Sequence, residues 1–152
     1  MSTPPNIDRF NKVALLALDT LYSAFPVPTS IDVAKLALDT LPADAAFDDS
    51  FQSIEVAYWA IEFLVSEEFI THKGATTDGK SFTLARLTSK SLALLGSTPA
   101  SLEQHESVAD KIRTVVKSGA KEVASESAKK LIEFLFTNAS SIAHAVSASV
   151  TP

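Results

Sequence analysis

The chain has 152 residues, of which 46% are hydrophobic, and it contains no cysteine. This length supports one compact core rather than a large multidomain enzyme, and the lack of cysteine excludes disulfide scaffolds, thiol chemistry and cysteine-based zinc sites. Thirteen Lys and Arg against eighteen Asp and Glu give a net charge of −5, which disfavours a general nucleic-acid coat and a strongly cationic membrane binder.

The residues before the first helix do not resemble a targeting signal. Residues 1–6 include two prolines and lack the basic and apolar regions of a secretory signal. No run of eighteen apolar residues follows, so we expect no transmembrane span. Together with the lack of cysteine, these features predict a cytoplasmic protein.

The first predicted element is a helix from Ile7 to Phe25. Apolar residues recur there every three or four positions, the period of one buried helix face, and Asn6 is the predicted N-cap. Pro26 and Pro28 end this helix, because proline lacks an N–H and pushes the preceding residue toward extended geometry.

A second helix is predicted after these prolines. Thr29 or Ser30 is its predicted N-cap, Asp32 lies in its first turn, and Pro42 closes it.

An acidic loop, Ala43 to Asp49, leads into a third predicted helix. Asp49 with Gln52 three residues later resembles a capping box, and the helix is expected to run to about Glu68.

A β-hairpin is predicted after the third helix. Two β-prone runs, Phe69–Lys73 and Ser81–Leu87, are separated by residues 74–80, in which the pair Asp78-Gly79 tolerates positive φ. A short helix starting at Thr88 or Ser89 follows the hairpin.

The remainder of the chain predicts a C-terminal helix or helix pair. Its apolar stripe is interrupted at Gly119. We therefore expect a domain at residues 7–96, a linker at 97–106 and a helical extension at 107–150 that serves docking or oligomerisation.

The order of these elements resembles a winged helix-turn-helix domain of the bacterial or phage type. Residues 61–70, IEFLVSEEFI, are similar to the end of the third helix in that family. Residues 87–95, LTSKSLALL, resemble the segment that leaves the wing, although Ser91 stands where Gly is frequent. The resemblance covers about residues 7–96 and implies a mainly α fold with a small β-hairpin. It implies little about the ligand, because fold does not dictate function.

In that family the third helix enters the DNA major groove and the wing contacts phosphates. The residues that would face DNA here include no Lys or Arg, although affinity for DNA comes largely from such cations. Lys73, Lys80 and Arg86 flank the tip of the predicted wing and are the candidate phosphate contacts. They are also ordinary solubilising residues of a sheet edge, so charge disfavours nucleic acid as the partner.

The third helix has two apolar sides separated by a narrow polar stripe. At 100° per residue, one side carries Ile54, Ala57, Ile61, Leu64 and Val65, and the opposite side carries Val56, Trp59, Ala60 and Phe63. One side is expected to pack in the core, and the other needs a cover, either the C-terminal helix of the same chain or a second protein. The predicted partner-binding residues are Glu55, Trp59, Glu62, Phe63 and Ser66.

The C-terminal segment has a charge opposite to that of the preceding domain. Between Val108 and Phe136 it has six basic and four acidic residues, which favours docking on the acidic domain in cis or in trans. From Phe134 onward no charged residue occurs, and association of this tail with a membrane surface is a weaker alternative.

The sequence offers no catalytic or metal-binding pattern. His72, His105 and His144 lack metal-ligand spacing, and neither a phosphate-binding glycine loop nor a nucleophile elbow occurs. We therefore predict that the chain is not an enzyme and holds no metal or cofactor. An enzyme or ligand sensor with a pocket between the wing and the C-terminal helix stays a third alternative.

The sequence thus predicts a non-catalytic, regulatory winged-helix module that acts through protein contacts or self-association, with a homodimer expected. The alternative is a DNA-binding transcriptional regulator that contacts phosphates through the wing and the basic C-terminal helix.

Overall fold

A computed structural model of the protein describes residues 4–41, 47–75, 81–97, 106–117 and 125–150. The described elements are α1 (Pro5–Ala24), β1 (Thr29–Asp32), α2 (Val33–Thr40), α3 (Phe47–Ser66), β2 (Ile70–Thr71), β3 (Gly74–Ala75), β4 (Ser81–Leu87), α4 (Ser89–Gly96), α5 (Val108–Lys117) and α6 (Ser125–Val150). The prediction of a mainly α fold with a small β-hairpin is therefore confirmed. The division into a domain, a linker and an extension stays a prediction.

Helix α1 begins earlier than expected. Its N-cap is Pro4, and Pro5 is its first residue, so the prediction of Asn6 as N-cap is wrong. Proline suits the first helical position, because its φ is already helical and its missing N–H would lack a partner there anyway. The helix ends at Ala24, directly before Phe25 and the cis Phe25–Pro26 peptide bond.

Residues Thr29–Asp32 form a strand and not the start of a helix. Ile31 pairs with Phe82 of β4 and is 3% exposed, so burial on the sheet holds this segment extended. Helix α2 then starts at Val33 with Asp32 as N-cap, whose carboxylate accepts a hydrogen bond from the Lys35 backbone N–H at 3.0 Å. The predictions of a Thr29 or Ser30 cap and of Asp32 within the first turn are both wrong.

Helix α3 also differs at its ends. It begins at Phe47, which places Asp49 inside the helix, so the predicted capping box of Asp49 with Gln52 is wrong. It ends at Ser66, two residues before the expected end at Glu68.

The small antiparallel sheet has β4 at its centre. Strands β1 and β2 flank β4, and β3 also pairs with it. The predicted hairpin is present as β2, β3 and β4, while its tip, including Asp78, Gly79 and Lys80, lies outside the described residues. Strand β1 was not predicted, and it joins the hairpin to the α1–α2 region.

Helix α4 has a capping box at its N-terminus. Thr88 accepts a hydrogen bond from the Ser91 N–H, and Ser91 accepts one from the Thr88 N–H. The buried Ser91 hydroxyl also donates to the Phe69 carbonyl at 2.7 Å. Of the two predicted starting residues, Ser89 is the first residue of α4 and Thr88 is its N-cap. Ser91 connects the start of α4 to the residue before β2.

The C-terminal region forms two helices that share the core of the rest of the chain. Val108 and Ile112 of α5, with Leu131 and Leu135 of α6, belong to the same cluster of buried residues as α1, α3 and the sheet. Both helices pack against α1 and α4. The predicted interruption at Gly119 lies outside the described residues. None of the described helices is both long and apolar enough to cross a membrane.

Candidate functional site

An aromatic groove lies where three helices converge. Helix α1 packs against both α3 and α6, and all three contribute to a groove with a volume of about 1060 Å³. The larger apolar side chains that line it are Ile7, Phe10, Val56, Trp59, Phe63, Ile132 and Phe136. We call this feature the α1/α3/α6 groove.

One part of the groove is a cluster of packed rings. The centroids of Phe10 and Phe63 are 5.5 Å apart, and those of Phe63 and Phe136 are 5.8 Å apart. Phe136 also contacts the buried ring of Phe69, with centroids 5.4 Å apart. These pairs are edge-to-face, an arrangement that adds to the stabilisation from buried area. The cluster therefore attaches α6 to α1 and to the end of α3.

Trp59 is the most exposed ring of the groove. Its side chain is 61% exposed, and its described ring contact is with Tyr58 on the same helix, at 5.2 Å between centroids. Phe63 is 44% exposed despite its contacts with Phe10 and Phe136. The second apolar side of α3 is thus partly covered in cis at Phe63 and open to solvent at Trp59.

Charged side chains of both signs border these rings. Arg9 of α1 and Lys129 of α6 line the groove, together with Glu55 of α3 and Glu133 of α6. The two cations are half-buried, and the two carboxylates are exposed. The wall formed by α3 carries a carboxylate and no cation, since α3 contains no Lys or Arg, whereas both cations come from the other two helices.

The structure brings three of the five predicted partner-binding residues together. Glu55, Trp59 and Phe63 line the groove. Glu62 is half-buried and Ser66 is exposed, and neither is part of the lining. The Ser66 hydroxyl donates to the Phe63 carbonyl at 2.8 Å, an arrangement within the last turn of α3.

Sequence reasoning missed the part of the groove that comes from α1 and α6. Arg9, Phe10, Lys129, Glu133 and Phe136 were not among the predicted site residues. Phe10 was recognised as apolar on the first helix, but its pairing with Phe136 joins residues far apart in the chain. No local pattern carries that information.

Two of the predicted phosphate contacts, Lys73 and Arg86, lie in the hairpin and do not line the groove. Lys73 and Arg86 are both exposed, and Arg86 pairs with Thr71 between β4 and β2. Lys80 lies outside the described residues. The described residues of the hairpin therefore present Lys73 and Arg86 to solvent, while α3 contains no Lys or Arg.

The described residues include no group of three side chains suited to hold a metal ion. His72 is half-buried, and its Nδ1 lies 2.8 Å from the Gly74 carbonyl oxygen and 3.1 Å from the Gly74 backbone nitrogen. Its ring lies edge-on to Phe82. These contacts give His72 a place in the packing of the hairpin. His105 lies outside the described residues, as does the side chain of His144.

Comparison of the chain with family models, with curated proteins and with solved structures gives no significant match. The functional argument therefore rests on the geometry of the groove.

Proposed function

We propose that the protein is a non-catalytic, regulatory winged-helix module of the cytoplasm that acts by binding a helix of another polypeptide in the α1/α3/α6 groove. The observation that carries the proposal is the 61% exposure of Trp59 beside a groove lined by rings. Exposed Trp and Phe side chains in a concave patch are typical of the anchoring centre of protein interfaces. An amphipathic helix is the partner element that fits between two helical walls.

The order of the elements supports the winged-helix part of the proposal. Helices α1 to α3 precede the hairpin, and α4 follows it, as the resemblance implies. The charge on α3 supports protein contact over DNA contact. It contains four acidic residues and no Lys or Arg, so its outer face would be repelled by phosphates.

The proposal is tested by photo-crosslinking in cells that produce the protein. A benzophenone amino acid replaces Trp59 in one variant and Leu38 in the control, because Leu38 of α2 is 50% exposed and lies outside the groove. We expect protein adducts of defined mass from position 59 and none of the same mass from position 38. Mass spectrometry of the crosslinked peptides then identifies a helical segment. Equal adduct patterns at both positions, or nucleic-acid adducts at position 59, would contradict the proposal.

The alternative is a DNA-binding regulator, and the exposed cations of the sheet favour it. Lys73 and Arg86 could contact phosphates, with further cations from the C-terminal helices. If this alternative holds, the purified protein retards mixed-sequence DNA duplexes in gels at low salt, and DNA binding falls steeply as the salt concentration rises. The double variant Lys73→Glu with Arg86→Glu should then no longer bind DNA. Our proposal expects no retardation even at low salt.

A further inference from the structure

We infer that the occupant of the α1/α3/α6 groove is helix α3 of a second copy of this chain, in a two-fold symmetric dimer. This inference rests on the proposed function and names its partner. A symmetric dimer requires a self-complementary surface, one that supplies both the projecting and the receiving part of the contact. Trp59 projects from the wall of the groove that would receive it, so a single patch has both parts.

The charges of the patch support a second copy of α3 as the occupant. The projecting helix has acidic residues and no cation, and its Glu55 stands on the groove rim. The receiving walls supply Arg9 from α1 and Lys129 from α6. When α3 of one copy lies in the groove of the other, its carboxylates approach these cations. With Glu133 of α6 included, the rim of each groove has two positive and two negative side chains. Complementarity of this kind selects the partner and fixes its register.

The spacing along α3 fits a two-fold axis near Trp59. Two antiparallel helices crossing there bring Glu55 of one copy, four residues before Trp59, to the same level along the helix axis as Phe63 of the other copy, four residues after it. The two Glu55 carboxylates are then kept apart, and each Trp59 lies beside the rings of the other groove. Because residues four apart share a helix face, one continuous stripe makes all these contacts.

Exposed apolar surface continues along α3 beyond the groove. Helix α3 has 20 residues, which corresponds to about 30 Å of length. Along it Phe51 is 62% exposed, and Ile7 on the neighbouring α1 is 45% exposed. Exposed apolar surface thus continues from Ile7 in the groove lining to Phe51 outside it.

The test is the molar mass of the full chain in solution, measured by sedimentation equilibrium over a range of concentrations. We expect wild-type protein at about twice the monomer mass of 16.2 kDa. The variant Trp59→Ala should weaken the dimer at least tenfold, whereas Leu38→Ala, on exposed apolar surface outside the groove, should leave it unchanged. Circular dichroism confirms that each variant is folded. A wild-type monomer at all concentrations, or a dimer that Trp59→Ala does not weaken, would overturn the inference.

Charge reversal supplies a second test specific to this interface. Glu55→Lys with Glu133→Lys makes the rim wholly cationic, and Arg9→Glu with Lys129→Glu makes it wholly acidic. Each double variant alone should dimerise at least tenfold more weakly, because like charges then face each other across the axis. An equimolar mixture should recover a dimer containing one copy of each variant. A mixture that stays monomeric would overturn the inference.

The two proposals fail separately. If wild-type protein is monomeric but position 59 still crosslinks to a helix of a different protein, the second copy is excluded and the protein-binding function stands. If wild-type protein is monomeric and position 59 gives no adduct beyond the Leu38 control, both are excluded.

Discussion

Glu68 adopts a left-handed backbone conformation, with φ of 65°, two residues after the end of α3. The Glu68 N–H donates to the Val65 carbonyl at 3.0 Å, and the Phe69 N–H donates to the Leu64 carbonyl at 2.8 Å. These two bonds form the Schellman arrangement that ends many helices, normally with Gly in the left-handed position. A residue with a Cβ is disfavoured there by roughly 1 kcal/mol. In return, the turn changes the direction of the chain after α3, so that Phe69 enters the core and β2 begins.

Replacing Glu68 with Gly should therefore stabilise the protein. We expect the free energy of unfolding to rise by about 0.5–1 kcal/mol, since Gly adopts this conformation without the steric cost of a Cβ. Urea denaturation followed by circular dichroism measures the change.

The matched control is Glu67→Gly, one residue earlier. Glu67 is not among the described non-glycine residues with positive φ, so Gly there should lower the free energy of unfolding by several tenths of a kcal/mol. If both substitutions destabilised the protein equally, the left-handed conformation of Glu68 would hold no strain that Gly can relieve.

At the residue scale, the sequence predicted which residues share a helix face better than it predicted where each helix begins. The assignment of Trp59 and Phe63 to a second apolar side of the third helix agrees with their exposure and with the groove. The N-cap assignments of the first three helices were wrong, because α1 begins at a proline without a side-chain cap and α2 and α3 begin at other residues than their nearest polar candidates suggested. Asp32 became the cap of α2 only because Ile31 is held on the sheet.

At the scale of elements, two aromatic residues of the groove have different roles. Phe136 contacts Phe10, Phe63 and Phe69 and so attaches α6 to the body of the molecule. Trp59 lies on the outer side of α3, with more than half of its side chain in solvent. The first residue serves folding, and the second leaves its apolar surface free for contact.

This difference predicts opposite stability effects for two alanine substitutions. Phe136→Ala should lower the free energy of unfolding by about 2–3 kcal/mol, because it removes a partly buried ring and leaves its neighbours unpacked. Trp59→Ala should lower it by less than about 1 kcal/mol, because an exposed side chain loses little on truncation. Both are measured by urea denaturation at concentrations below those of any association. A loss of several kcal/mol for Trp59→Ala would mean that this ring is part of the core.

The packing of α6 and the existence of β1 were the features of the fold that the sequence predicted least well. The periodicity of the C-terminal region predicts helices, but it does not tell which helix each one packs against. The contact of α6 with α1 joins residues more than a hundred positions apart, as Phe10 and Phe136 illustrate. Strand β1 is only four residues long, and its extended form depends on pairing with β4, which lies about fifty residues later. Local preference cannot report such partners.

At the scale of the whole molecule, α5 and α6 are packed into the common core in cis. The Val108 N–H donates to the Ser97 carbonyl at 3.0 Å, so the two sides of the predicted linker meet directly. Arg113 of α5 bonds to Asp19 and Ser23 of α1. Such exposed charged contacts contribute only about 0–1 kcal/mol each, which leaves the buried apolar residues of α5 and α6 as the main source of attachment. The attachment of α5 and α6 thus depends on apolar burial more than on the predicted charge complementarity.

Removal of α5 and α6 should therefore unfold the rest of the chain. A truncation after Ser97 deletes Val108, Ile112 and Leu135, each at most 1% exposed, and uncovers the faces of α1 and α4 that they cover. Since each buried aliphatic side chain contributes about 2 kcal/mol, the loss is comparable with the entire stability of a small domain. The control is a chain that ends after Ala139, the last residue of α6 described as packed against the core. We expect the control to keep a cooperative thermal transition within a few degrees of the full chain, and the shorter chain to show none. A cooperative transition for the chain ending at Ser97 would instead mean that the first 97 residues fold independently and that α5 and α6 form a separable appendage.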